Sequence, residues 1–155
     1  METVISIIAI VLSVISGIFA LLTFLWTNRR DRKQATLEAY NRLQTDVFDN
    51  LNTYAPAEIK DICIDVKSAE YKMLSGYLAR IEHFCVGINE KIYDKDTFYS
   101  LAHGYFDGNQ LRKRIEPLLD SKNQSNNTKE LFYIHTISVL MWMEKKSNNK
   151  KEKGG

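Results

Sequence analysis

The chain has 155 residues, of which 45% are hydrophobic and 26% charged, and its formal net charge is only +2. A small, mixed charge is not typical of a duplex nucleic-acid binder, whose basic residues cluster on one surface. Only two prolines and seven glycines occur, and long alternating apolar runs are missing, which favours helices over a sheet. The composition therefore excludes a dedicated binder of duplex nucleic acid and predicts an all-α fold.

The first 27 residues are the most distinctive segment of the sequence. No charged residue occurs from Val4 to Trp26, and a basic cluster follows at 29–33. A helix over this stretch is about 35 Å long, enough to cross a hydrocarbon core of about 30 Å. A cleaved signal would have a basic start and a shorter apolar run, and a buried core helix fits neither the length nor the flanking charges. We therefore predict a transmembrane anchor at residues 1–27.

The charges next to the span predict its orientation. All Lys and Arg residues near the span follow it in the sequence, and such residues stay on the cytoplasmic side. The N-terminus should therefore lie outside and residues 28–155 in the cytoplasm, with Trp26 at the interface. We expect the basic flank (Arg29, Arg30, Arg32 and Lys33) to face anionic membrane lipids.

Small residues recur within the span at alternating spacings of three and four, which is a heptad repeat that keeps them on one helix face. Small residues let helices approach closely in lipid, and hydroxyls can bond across the interface. The alternative is chance, since a serine can also bond its own helix backbone. We favour self-association into a homo-oligomer, with a pore as a further step. This small-residue stripe comprises Ser6, Ala9, Ser13, Ser16, Ala20 and Thr23, with Gly17 beside it.

The cytoplasmic part shows helical patterns separated by short breaks, and predicts a helical bundle over residues 28–146. The clearest pattern covers 69–92, where apolar residues recur at spacings of three and four. Residues 57–67 fit a strand or a helix, and we choose the helix. We further predict an amphipathic helix over 28–54, and a helix that is capped by Asp94 or Asp96 and followed by a turn from Gly104 to Gly108. A helix from Asn109, interrupted at Pro117, should precede a polar loop over 120–127. A last helix from Thr128 to Trp142 and a disordered tail over 147–155 complete the predictions. The apolar face of the 28–54 helix comprises Leu37, Tyr40, Leu43, Val47, Leu51 and Tyr54.

No catalytic or metal-binding constellation is visible in the sequence. The histidines (His83, His103 and His135) have no second ligand at metal-site spacing, and no nucleophile or phosphate-loop motif occurs. Cys85 falls in an apolar register and is expected in the core, while cytoplasmic Cys63 and Cys85 should stay reduced. We expect no metal, no cofactor and no enzymatic activity.

A short basic run after the predicted turn is the best candidate for ligand binding. Guanidinium groups near a helix N-terminus hold phosphates, and an aromatic side chain can stack on a base. The alternative is a solvated helix face, which is the commoner role of so short a run. The candidate ligand-binding residues are His103, Tyr105, Arg112, Lys113 and Arg114, and a cyclic oligonucleotide is a possible ligand.

A further pattern centres on the segment from Met73 to Leu119. It comprises Leu78, Glu82, Gly87 and Tyr93-Asp94, with Trp142 and the Ala35-Thr36-Leu37 start outside the segment. On these residues the chain resembles an uncharacterised family of small bacterial and prophage membrane proteins. Such proteins have an N-terminal span and a helical cytoplasmic domain of unknown function. The family usually carries an Asn near Ala79 and Arg80, which this chain lacks. The resemblance implies a bacterial inner-membrane setting.

These observations give two hypotheses for function. The first is a non-enzymatic, oligomeric antiviral-defence effector whose cytoplasmic domain senses a ligand and whose span perturbs the membrane. A cyclic oligonucleotide would gate it, as in CRISPR-associated membrane proteins. The alternative is a membrane-anchored interaction or regulatory module for a neighbouring bacterial or prophage protein. An enzyme ranks last because no catalytic set of residues is present.

Overall fold

The computed structural model describes residues 2–107, 110–124 and 133–153, and in these ranges the chain forms helices and turns with no strand. This confirms the prediction of an all-α protein with a long apolar N-terminal helix and a helical bundle. The helices are α1 (Glu2–Leu43), continued by a π-helical turn (Gln44–Phe48) and α2 (Asp49–Leu51), then α3 (Pro56–Ile62), α4 (Ala69–Asn89), α5 (Lys95–Asp107), α6 (Gln110–Gln124) and α7 (Ile134–Lys153).

Helix α1 runs through two different environments without a break. Its N-terminal part is fully exposed, and its most apolar stretch has a mean hydropathy of 2.4 with none of its residues buried. Thr36, Tyr40 and Leu43 of the same helix are buried in the bundle. Within the described ranges, α1 is therefore the one helix that is long and apolar enough to cross a membrane.

The predicted helix over 28–54 is correct in type, and most of its predicted apolar face is buried, at Tyr40, Leu43, Val47 and Leu51. At the start of that face, Leu37 is 41% exposed and Thr36 is buried instead.

The π-helical turn adds one residue to the buried side of the first helix. A π turn places one extra residue in the helical turn, and here Val47 and Phe48 are both buried although they are adjacent.

Helix α4 is the central element of the bundle and contacts α1, α6 and α7. Its predicted apolar face is buried at Leu74, Leu78, Ile81, Cys85 and Ile88. Ser68 begins the helix, since its Oγ accepts a hydrogen bond from Tyr71 N at 3.1 Å. The helix ends at Asn89, so Ile92, the last residue of the predicted pattern, lies in the following turn.

Helices α5 and α6 pack on each other; α5 also packs on α1, and α6 also packs on α3. Asp94 is the cap of α5, because its Oδ1 accepts a hydrogen bond from Thr97 N at 2.8 Å. Pro117 lies inside a continuous α6, with buried Ile115 and Leu118 on either side, so the predicted interruption is absent. Gly104 likewise lies within α5 rather than in a turn, while Gly108 and Asn109 are outside the described residues.

The last helix extends beyond its predicted C-terminal end. Helix α7 continues to Lys153, past Trp142 and into the segment 147–155 that the charged sequence predicted as disordered. Ser147 is buried, and Lys146 Nζ lies 2.6 Å from Asp96 Oδ1, so tertiary contacts with α5 support this end of α7. The predicted start at Thr128 is outside the described residues.

Two other predicted segments are helical only in part. The ambiguous stretch 57–67 begins as α3, with Pro56 in the first turn, and becomes a turn after Ile62. Residues 120–124 of the predicted polar loop over 120–127 belong to α6. Residues 125–127 are outside the described ranges.

Candidate functional site

The first helix is fastened to the α4–α5 turn directly after its basic flank. Thr36 Oγ1 donates a hydrogen bond to Arg32 O at 2.7 Å and accepts one from Asp94 N at 2.7 Å. Arg32 Nη2 donates to Tyr93 O at 3.3 Å. We call these four residues (Arg32, Thr36, Tyr93 and Asp94) the junction. The junction fixes the turn against the part of α1 that lies nearest its apolar half.

The α4–α5 turn is held by the close packing of Tyr93 on Gly87. A Cβ atom at position 87 would lie 2.4 Å from Tyr93 Cε2, so the ring occupies space that only glycine leaves open. Tyr93 N also donates to Gly87 O at 3.0 Å, and the ring stacks on Phe84 with centroids 5.1 Å apart. Lys91, between them, has φ 61°, a left-handed conformation that favours glycine.

Glu82 joins α4 to the N-terminus of α7. Its carboxylate accepts hydrogen bonds from His135 N at 3.1 Å, Thr136 N at 2.7 Å and Thr136 Oγ1 at 2.6 Å. A carboxylate at this end of a helix satisfies free N–H groups and interacts favourably with the helix dipole. Asn89 Nδ2 lies 3.1 Å from His135 Nδ1. Glu82, Gly87, Tyr93, Asp94 and Thr36 therefore all make contacts that assemble the bundle.

Burial and hydrogen bonding change two pKa values near these contacts. For Asp94, burial acts to raise the pKa, but hydrogen bonds from Thr97 and the positive charges of Lys33 and Arg32 outweigh it and lower the pKa. For Cys85, burial raises the pKa to about 12, which keeps the thiol protonated. A buried protonated thiol is a poor nucleophile, in agreement with the prediction that Cys85 belongs to the core.

The predicted basic ligand residues of α6 point to three separate contacts. Arg112 Nη1 lies 3.1 Å from Glu144 Oε2 of α7, and Arg114 Nε donates to Tyr54 O at 3.3 Å. Lys113 instead borders a groove beside α3. Consecutive residues on a helix point about 100° apart, so this short run spreads its charges around α6.

The two aromatic candidates on α5 are also engaged elsewhere. Tyr105 donates from its hydroxyl to Asn52 Oδ1 at 2.8 Å, and its ring lies 4.8 Å from that of Phe48. His103 stacks on Tyr99 at 5.7 Å. Burial raises the pKa of Tyr105, and the positive charge of nearby Arg114 acts to lower it. The structure therefore brings Tyr105 near Arg114, whereas Arg112 and His103 contact other residues.

No group of three or more His, Cys, Asp or Glu side chains that could hold a metal ion occurs in the part of the chain that the structure describes. His83 lines a groove of about 380 Å³ between the first helix and α4, together with Arg42, Asp46 and Arg80. A larger groove of about 970 Å³ lies between α3 and α6. It includes Ile64, which is 83% exposed.

The small-residue stripe lies wholly on the exposed half of α1. Ser13, Ser16 and Thr23 are exposed, and an added Cβ at Gly17 would meet nothing within 4 Å. The basic flank divides, because Arg29, Arg30 and Lys33 are exposed whereas Arg32 is half-buried in the junction. The stripe is thus available as a surface, and Arg32 serves the bundle. The sequence of the basic flank does not indicate that Arg32, and not its neighbours, would contact the bundle.

The fold and these surfaces define a helical-bundle protein with one candidate membrane-spanning helix. The family model described as a domain of unknown function, DUF4760, matches residues 7–136. The chain belongs to this family, which confirms the predicted resemblance to an uncharacterised family. No curated protein and no solved structure matches the chain.

Proposed function

We propose that the protein is a non-enzymatic, single-pass membrane effector of antiviral defence in bacteria. Helix α1 would cross the inner membrane with the N-terminus outside, and the bundle would lie in the cytoplasm. One observation carries this proposal: α1 is a single helix whose described apolar stretch has no buried residue, while one face of its other half is buried in the bundle. Exposed apolar side chains over such a length are stable in lipid and costly in water.

The continuity of α1 supports a coupling between bundle and span. No flexible linker separates them, because the helix is unbroken from Glu2 to Leu43. Hydrogen bonds at the junction fasten α1 to the α4–α5 turn just after the basic flank. A shift or an assembly of the bundle would therefore be passed directly to the membrane segment, as in helix-shift switches.

The small-residue stripe supports self-association as the step that perturbs the membrane. Its heptad spacing allows left-handed packing of several α1 helices, and its side chains are exposed along one face. Cyclic oligonucleotides stay the ligand class predicted from the sequence. The positions of Arg112, Lys113 and Arg114 do not strengthen the case for a cyclic oligonucleotide. The proposal therefore rests on self-association of the span.

The test of this proposal is a pair of double variants in the span. Ser13→Leu with Ser16→Leu places bulk in the stripe, whereas Val11→Leu with Ile18→Leu changes the opposite face of the same helix. We expect the first pair to reduce the oligomer mass in mild detergent and the second to leave it unchanged. Light scattering of the purified full chain measures this mass, and alkaline extraction of membranes measures insertion.

The biological readout uses the same two variants. Protection of bacteria against phage, measured by plating efficiency, should be lost with the stripe variant and kept with the control. An oligomer of unchanged mass in the stripe variant would show that the span does not assemble the protein. Release of the wild-type chain by alkaline extraction would contradict the membrane anchor itself.

A second candidate function is a membrane-anchored interaction module for a neighbouring protein, and the groove between α3 and α6 favours it. This groove lies at the end of the bundle remote from the junction and includes the strongly exposed Ile64. A photo-crosslinker at position 64 in cells separates the two functions. A defined heteromeric adduct, lost in the Lys113→Glu variant of the groove, supports the module. Adducts only between copies of the chain support the effector.

A further inference from the structure

The α4–α5 turn lies close to the level at which α1 would leave the membrane. Arg32 and Thr36 follow Trp26 by six and ten residues, which is about 9 Å and 15 Å along a helix axis. Because these two residues bond to Tyr93 and Asp94, the turn lies within that interval. The headgroup layer extends roughly 5–8 Å beyond the hydrocarbon core on each side. When Trp26 is at the interface, the nearer end of this interval is about 1–4 Å beyond the headgroups, a distance that extended side chains of the turn can reach.

The chemistry of this turn suits a lipid surface. Ile92 is 58% exposed at the point where the chain reverses, and Lys91 beside it is exposed. Lys91 has a left-handed φ of 61°, a conformation that a lysine adopts only at some cost. An exposed isoleucine beside a cation is a pair that interfacial protein segments use at anionic membranes.

The charges at this level of the molecule are mostly positive. The exposed basic side chains are more numerous than the exposed acidic ones, Asp31, Glu90 and Asp96, and Asp96 is paired with Lys146. Lys and Arg residues within a Debye length of about 8–10 Å of an anionic surface are attracted to it. The exposed basic residues are Arg29, Arg30 and Lys33 on α1 and Lys91 in the turn.

We propose that the α4–α5 turn is a second membrane contact, which binds the anionic phospholipid surface of the same bilayer that α1 crosses. Ile92 enters the headgroup layer, and Lys91 acts with Arg29, Arg30 and Lys33 on lipid phosphates. This inference rests on the proposed function, because it requires α1 to span. Anionic lipid is the expected partner because the turn is close to the span and because the exposed charges around the turn are mostly positive.

If the turn contacts the membrane, the junction also fixes the orientation of the bundle relative to the bilayer. With α1 fixed in the bilayer and the turn resting on it, the bundle has two points of attachment and a defined orientation. Arg32 is then used to position the turn through Tyr93 O rather than to bind lipid. Two points of attachment would prevent the bundle from rotating freely about α1. A conformational change in the bundle would therefore tilt or rotate the span.

The experiment places a fluorescent label at three positions of the full chain, one at a time, in a Cys63→Ser background. The sites are Ile92→Cys in the turn, Ile64→Cys at the remote end of the bundle and Ile15→Cys in the span. The remaining Cys85 is buried and should not react. The protein is placed in vesicles of equal parts phosphatidylcholine and phosphatidylglycerol, with bromine near the top of the acyl chains as quencher.

We expect strong quenching at position 15, clear quenching at position 92 and none above background at position 64. Quenching at 15 but equal, weak quenching at 92 and 64 would overturn the second contact and leave the span intact. Absence of quenching at 15 would mean that α1 does not insert, so the proposed function would fail and the inference with it.

A second comparison tests the charge. Lys91→Asn removes the cation but keeps a residue that tolerates a left-handed backbone, and Lys72→Asn changes an exposed lysine at the other end of α4. We expect quenching at position 92 to fall at least twofold with Lys91→Asn, and equally in vesicles without phosphatidylglycerol, but not with Lys72→Asn. Unchanged quenching in all these cases would contradict a contact with anionic lipid.

Discussion

The two halves of α1 share one helix but are built for different solvents. Before the basic flank, large apolar side chains are exposed on every face, and the small residues gather in one stripe. Beyond the flank, only one face is apolar and it is buried against α4 and α5. The comparison shows that the surroundings, and not helix formation as such, decide which side chains stabilise the fold.

The comparison also separates two kinds of contribution to stability. In the bundle half, each buried side chain contributes through contacts within the chain, and its loss leaves a cavity. In the apolar half, the large apolar side chains that the structure describes are exposed, so they should affect insertion and assembly but not the free energy of unfolding of the bundle. Two residues of the same type, one in the apolar half of α1 and one in the bundle, can therefore test whether the two regions contribute differently to stability.

The largest difference is expected for two phenylalanines. Phe48 is 2% exposed and Phe19 is 66% exposed. Phe48→Ala should lower the free energy of unfolding by about 3–5 kcal/mol because it empties the core, whereas Phe19→Ala should change it by less than about 0.5 kcal/mol. Urea unfolding of the full chain in neutral detergent, followed by the fluorescence of Trp142 in a Trp26→Phe background, measures both values.

Similar losses for the two phenylalanine variants would contradict the division of α1. They would mean that the apolar half packs against the bundle, for example in an oligomer that persists in detergent. The oligomer mass, measured in the same samples, distinguishes this case from a general effect of detergent on the unfolding transition.

The next difference is expected for two threonines. Thr36 is buried and joins Arg32 O to Asp94 N, whereas Thr23 is an exposed member of the stripe. Thr36→Val keeps the shape but leaves the Asp94 N–H without its acceptor, which should cost about 1–3 kcal/mol. Thr23→Val should leave the unfolding curve unchanged and affect only the oligomer mass.

Equal stability of wild type and Thr36→Val would show that water replaces the hydroxyl and that the junction is open to solvent. Hydrogen exchange at the Asp94 amide provides an independent check. We expect that amide to exchange faster in Thr36→Val than in Thr23→Val.

Much of the difference between the apolar half of α1 and the bundle could be predicted from the sequence, because it depends on short local patterns of residues. The uncharged run to Trp26 identifies the apolar half, and the apolar spacing of α4 identifies its buried face. Asp94 was recognisable as one of two caps because it precedes a helical pattern. In each case a short stretch of sequence contains the full signal.

The junction and the Glu82 contact could not be predicted in the same way. Thr36 and Asp94, or Glu82 and Thr136, are more than 50 residues apart, and periodicity says that a residue is buried without saying against what. The π turn also buries Phe48 beside the predicted Val47, and no residue type marks that turn in the sequence. The basic run on α6 misled for a related reason, since neighbours in sequence point in different directions on a helix.

A smaller difference is expected for two glycines. An added Cβ would meet the Tyr93 ring at position 87 and nothing at position 17. Gly87→Ala should therefore lower the free energy of unfolding by about 1–2 kcal/mol through overpacking, whereas Gly17→Ala should leave it unchanged. Tyr93→Ala in the same chain should remove most of the further cost of Gly87→Ala, because the clash is with that ring. Additive losses in the double variant would contradict this cause.

The smallest effect is a gain in stability, at the turn that follows α4. Lys91 has φ 61° whereas Glu90 before it has φ −77°. Glycine has no Cβ and adopts the left-handed region without strain, so Lys91→Gly should raise the free energy of unfolding by about 0.5–1 kcal/mol. Glu90→Gly, at a position without that strain, should lower it. Urea unfolding in neutral detergent separates this backbone effect from any loss of lipid contact. If Lys91→Gly makes the protein more stable but weakens the contact of the turn with anionic vesicles, the lysine serves the lipid contact at a cost in stability. The bundle would then contact the same membrane that surrounds the apolar half of α1.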